Sequence, residues 1–178
     1  MKTKDLTTCA VGAALIAICS WISIPATVPF TLQTFGICLI AGVFGWKRGL
    51  WTVAVYILLG AFGVPVFSGF HGGIAVLFGT TGGYIFGFLL TALIVGIAAD
   101  RYRSKLWVLA LSMVLGIAVC YAFGTVWFIR VYAKNSGPIG VMTALSWCVF
   151  PYILPDAVKI AAAVPLVNRL YRVLNKER

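Results

Sequence analysis

The chain has 178 residues, 62% of them hydrophobic and only 10% charged, with a formal net charge of +10. A soluble domain would carry roughly 25% charge, so the composition excludes a soluble globular protein and predicts one integral membrane domain over residues 1–178. In such a chain a basic excess reports orientation rather than nucleic-acid binding, and no nucleic-acid partner is expected.

Charge, proline and glycine bound six apolar segments, at 6–24, 33–46, 49–63, 80–99, 106–129 and 154–174. The expectation is an all-α protein with six transmembrane helices. The start, MKTKDLTTCAVGAALIAICSW, resembles a secretory leader. Its apolar stretch is long and lacks a clean small-residue cleavage site, which predicts a retained first span. Ala10, Ala13, Ala14 and Ala17 give this helix a small-residue face, suited to internal packing or to another protein's helix.

The first connection, PATVPFTL at 25–32, is apolar and holds two prolines. The second and third segments fall short of the ~20 residues that cross a bilayer. Between the third and fourth, GVPVFSGFHGGIAVLFGTTGG at 63–83 has seven glycines and no acid, lysine or arginine. Irregular backbone at membrane depth is tolerated only where protein buries it or where it lines a cavity. Both connections therefore point to a pocket in the outer half. Gly79, Gly83 and Gly87 recur every four residues and predict a flat, closely packed face on the fourth helix. Arg130 and Lys134 follow the fifth segment and are expected to snorkel to the outer headgroups.

With the N-terminus in the cytoplasm, eleven basic residues fall inside: Lys2, Lys4, Lys47, Arg48, Arg101, Arg103, Lys105, Arg169, Arg172, Lys176 and Arg178. Only Arg130, Lys134 and Lys159 fall elsewhere. This bias predicts an even number of spans with both termini cytoplasmic.

Of the four acids, Asp5, Asp100 and Glu177 sit beside basic residues at the cytoplasmic boundary; Asp156 alone is on the outer side. In FPYILPDAVKIAAA (150–163), Pro155 suits a helix's first turn, which predicts a last span starting there. Asp156 then lies in the first turn near the positive end of the helix dipole. Lys159, three residues on, shares its face. An ionised group at membrane depth costs on the order of 3 kcal/mol, whereas a helical pair at this spacing contributes about 0.2–0.5 kcal/mol. A structural fastener is thus the weaker reading, and a polar-solute site the stronger one. Gln33 could pair with a ligand or cap its helix, and Tyr84 could line the pocket or sit at the membrane interface. His71 is the only histidine and reads as an interfacial polar residue.

No metal site is expected. The five cysteines, Cys9, Cys19, Cys38, Cys120 and Cys148, show no C-x-x-C spacing and read as small buried residues. G-x-x-x-x-G-K-[ST], H-E-x-x-H and G-x-S-x-G are all missing, and Asp156 has no second carboxylate beside it. A binding or transport protein is expected rather than an enzyme, with no cofactor and any uphill energy supplied from elsewhere.

The runs ISIPATVPFTLQTFGICLIAG (22–42), FGTTGGYIFGF (78–88) and LPDAVKIAAA (154–163), in this order, resemble the BioY family. These are the biotin-binding substrate (S) components of energy-coupling-factor (ECF) vitamin transporters. One departure is Gly79-Thr80-Thr81-Gly82-Gly83, where the family usually has Gly-Pro-Thr-Gly-Gly. The resemblance implies the S-component fold in a bacterial cytoplasmic membrane, with biotin captured beneath the 25–32 loop acting as a lid. It implies that Asp156 takes the ureido N–H groups and Lys159 the ureido carbonyl or the valerate carboxylate. Gln33 and Tyr84 match the other two motifs and are weaker candidates for substrate contact. Ala13 and Ala17 match the small-residue face by which S components dock on the transmembrane coupling subunit, which joins two ATPases. Other readings are an S component for another small vitamin, or an intramembrane enzyme or structural subunit in which Asp156–Lys159 is only a fastener.

Overall fold

The structure is a computed structural model and describes residues 3–102 and 105–176, excepting the side chains at 4, 175 and 176. Lys2, Arg103, Glu177 and Arg178, and the side chains of Lys4 and Lys176, lie outside the described residues. Apart from connecting loops and one small hairpin, the described chain is helical. Helix α1 (Thr3–Trp21) leads into strands β1 (Ser23–Ile24) and β2 (Phe30–Thr31), then α2 (Gln33–Ala61), a 3-10 turn (Ser68–Phe70) and α3 (Ile74–Phe78). Helices α4 (Gly82–Tyr102), α5 (Leu106–Ser136), α6 (Val141–Cys148) and α7 (Phe150–Lys176) follow. Four helical stretches are long and apolar enough to cross a membrane, Gln33–Ala61, Gly82–Tyr102, Leu106–Ser136 and Val141–Leu174, beside the shorter apolar Asp5–Trp21.

Helix α2 is not one rod. Gly45 has φ 78°, a conformation that glycine adopts without steric cost. The Gln33 Nε2 atom donates to Tyr56 Oη at 2.6 Å, although a straight helix would hold these residues roughly 35 Å apart. The arms 33–44 and 46–61 therefore run antiparallel, corresponding to the second and third expected segments. At about 1.5 Å per residue they reach roughly 18 and 24 Å, short of a bilayer core of about 30 Å. Asp100, at the end of α4, accepts from the Trp46 N–H at 3.1 Å. Its carboxylate thus meets the positive end of the second arm. A Cβ on Gly45 would lie 2.1 Å from that carboxylate. Arg48 pairs with Asp5 at 2.7 Å near the same bend, so the starts of α1 and of the second arm and the end of α4 share one end of the bundle.

Helix α4 packs between α2 and α5, while α7 closes against both α2 and α5. The flat face of α4 is real: Cβ atoms on Gly83 and Gly87 would lie 2.2 Å from Trp127 Cβ and 2.8 Å from Cys120 Sγ. Gly79 is not part of that face, because α4 begins at Gly82; its carbonyl instead accepts from Trp127 Nε1 at 3.0 Å.

Four further expectations need correction. Helix α5 runs to Ser136, past the expected 129. Arg and Lys are good helix formers, and the stop is Gly137 at φ 99° followed by proline. Helix α7 starts at Phe150, so Pro151 takes the first turn and Pro155 lies inside the helix with Pro165. Asp156 then sits near the end of the second turn, beyond the range of a strong dipole effect. The 25–32 connection is partly ordered, with Ser23 paired to Thr31 and Ile24 to Phe30. Finally, Ala13 and Ala17 are 2% and 5% exposed. Both face inward, so the outward small pair on α1 is Ala10 and Ala14.

Replacing Gly45 with alanine should destabilise the fold by about 2 kcal/mol or more, since it adds left-handed strain and displaces Asp100. Thermal unfolding in detergent measures this, and an unchanged midpoint would contradict the account of the bend.

Candidate functional site

Tyr152, Asp156 and Lys159 stand at i, i+4 and i+7 on α7, one helical face, and all three are buried. Lys159 Nζ donates to Asp156 Oδ1 at 2.6 Å, to the Thr31 carbonyl at 2.6 Å and to Thr34 Oγ1 at 3.2 Å. An ammonium has three N–H groups, so this set matches its capacity. The ring of Phe30 lies 4.2 Å from Nζ, a cation–π contact on the lid side. Asp156 Oδ1 also accepts from Thr34 Oγ1 at 3.0 Å, and Oδ2 accepts from Tyr121 Oη. The charges are 4% and 8% exposed. A buried pair is tolerated when its remaining lone pairs and protons are also satisfied, and here β2, α2 and α5 supply those partners.

The pair forms part of the wall of a cavity of about 290 Å³, at the small end of the range for small-molecule sites, about 300–1,000 Å³. The 25–32 connection, expected to act as a lid, lines it with Ala26, Thr27, Val28 and Pro29. Phe67, Ser68 and His71 come from the second outer connection; Tyr84, Ile85 and Phe88 from α4; Cys120 and Tyr121 from α5. Apolar walls with a few convergent polar groups suit a small amphipathic solute.

All four sequence-derived candidates, Asp156, Lys159, Gln33 and Tyr84, line this cavity. Gln33 is also a strut. Its Oε1 accepts from Thr31 Oγ1 at 2.9 Å, its Nε2 donates to Tyr56 Oη, and Tyr56 Oη donates to the Val66 carbonyl at 2.9 Å. Tyr84 Oη lies 3.1 Å from Thr125 Oγ1. His71 is exposed and also lines the cavity. Among the described residues no group of histidines, cysteines and carboxylates could hold a metal ion.

Sequence reasoning missed Thr31, Thr34, Tyr121 and Tyr152. Tyr152 was findable, because it lies one turn before Asp156 on the same face. It donates to the Val28 carbonyl and stacks on Phe30, with centroids 6.2 Å apart. Tyr121 left no signal, since α5 is apolar all round.

The model of the BioY family matches residues 1–176. A biotin transporter BioY from Thermotoga maritima is 41% identical over 96% of this chain and 97% of its own. A probable biotin transporter BioY from Pyrococcus horikoshii is 37% identical over 96% and 98%. The crystal structure of the S-component for biotin from an ECF-type ABC transporter superposes with a TM-score of 0.85 at 28% identity, covering 96% of this chain and 92% of that one.

The pair's stability role separates from any ligand. Asp156→Ala strands a buried ammonium and should cost about 3–5 kcal/mol. The double variant Asp156→Asn, Lys159→Gln removes both charges at nearly constant shape and should cost clearly less. Detergent melts that rank the double variant below the single one would contradict this reading of the pair.

Proposed function

The chain belongs to the BioY family, and we propose that it captures biotin for uptake across the cell membrane as the S component of an ECF-type transporter, working as a transporter subunit and not as an enzyme. The observation that carries the site assignment is the buried Asp156–Lys159 pair on the wall of a lidded, largely apolar cavity. Asp156 accepts from the ureido N–H groups, for which a carboxylate is the matching acceptor. Lys159 balances its charge and lies close to the ureido carbonyl. Gln33 and Tyr84 flank the bicyclic ring.

Counting the two arms of α2 separately, six helical segments enter the membrane, with both ends cytoplasmic. Lys47, Arg48 and Arg101 near the Gly45 bend support this sidedness, because the cavity lies toward the other end of the bundle. Transport energy comes from partners, a transmembrane coupling subunit joined to two ATPases. Docking uses α1, through the outward pair Ala10 and Ala14 rather than the buried Ala13 and Ala17.

The fastener reading keeps one observation in its favour: all three Lys159 N–H groups have partners inside the protein. The double variant Asp156→Asn, Lys159→Gln decides between the two. Loss of two charge-assisted contacts should weaken biotin binding by about a hundredfold or more in titration calorimetry. Parental affinity in that variant would leave the pair as a fastener. Riboflavin and thiamine should fail to displace bound biotin.

Replacing Ala10 and Ala14 together with tryptophan should abolish co-purification with the coupling subunit and leave biotin binding intact. Unchanged co-purification would move the docking face off α1.

A further inference from the structure

We infer that His71, at the mouth of the cavity, receives the carboxylate end of the ligand and sets a preference for an anionic tail. This rests on the biotin reading. Biotin has two polar ends, a cyclic urea and a carboxylate, separated by apolar carbon. The inner polar cluster offers little to the second end. Lys159 spends its three N–H groups on Asp156, Thr31 and Thr34, and a ligand carboxylate placed there would face the Asp156 carboxylate. Among the cavity-lining residues, the one other side chain able to carry positive charge is His71. It can donate an N–H whether neutral or protonated.

The two ends are separated by depth. Asp156 and Lys159 are 4% and 8% exposed, whereas His71 is exposed at the protein surface while lining the same cavity. Ser68, its neighbour in the turn, also lines the cavity and adds a hydroxyl.

The backbone around His71 is built rather than slack. Phe67 N donates to the His71 carbonyl at 2.9 Å, and the two residues form an isolated β-bridge. Between them Gly69 and Phe70 have φ of 70° and 59°. A bulky residue in left-handed backbone is a true outlier, and such strain persists where surroundings over-determine it, often at ligand clamps. Here Trp21 holds Phe70 by stacking at 5.1 Å, and Trp21 Nε1 is itself fixed to the Pro65 carbonyl at 2.8 Å. The imidazole folds back over Gly69, with Nε2 3.3 Å from where a Cβ would stand.

The test compares biotin with its carboxamide, which keeps the shape and removes the charge. Affinities of both are measured by calorimetry for the parent protein, His71→Ala and His71→Gln. The parent should favour the acid by about ten- to hundredfold, as expected for a hydrogen bond to a charged group. His71→Ala should collapse that ratio towards one, and His71→Gln, still a donor, should restore part of it. A ratio untouched by His71→Ala, or both ligands weakened alike with the ratio preserved, overturns the assignment while the biotin reading stands. No binding of either ligand by the parent protein overturns both.

Discussion

The contact on which the rest depends is the one between Lys159 and Asp156. Two opposite charges are held almost dry, which is affordable only because each has further partners. Those partners come from different parts of the chain. Thr31 belongs to the 25–32 connection, Thr34 lies in the first turn of α2, and Tyr121 lies midway along α5. Satisfying one pair therefore brings the lid, the α2 hairpin, α5 and α7 to a common point. The cavity lies beside that point, and the same four elements form much of its wall.

Much of this was legible in the sequence, and for physical reasons. An acid and a base three residues apart in an apolar run are too costly to be accidental, and both line the cavity. Apolar connections rich in proline and glycine marked the outer half, because unpaired backbone needs a protein-lined space. The small-residue pattern on α4 marked its packing face, since Gly83 and Gly87 leave room only for a neighbour at backbone distance.

What failed to be legible was mostly a matter of ends and facing. Pro155 suits a helix start, yet a membrane helix tolerates proline in its interior where neighbouring helices and side chains satisfy the backbone group it frees. Basic residues at 130 and 134 resembled a boundary, although a helix continues through them until glycine and proline intervene. Ala13 and Ala17 could not be told from Ala10 and Ala14 by spacing, because the repeat is the same. Only packing against α2 decides which pair turns inward. The hydroxyl of Tyr121 was invisible for a related reason: a helix apolar on every side gives no clue to which side is inner.

The Gln33 strut ties together the two roofs of the cavity. The lid meets Gln33 through Thr31, and the second outer connection meets it through Tyr56 and Val66. Ser20 on α1 donates to the same Val66 carbonyl. The two coverings are thus in series, and neither lifts without straining a bond to the other. Under the proposed role, entry and escape of a solute would share one opening event. The cost of parting those links would slow both steps alike, lengthening residence without changing affinity.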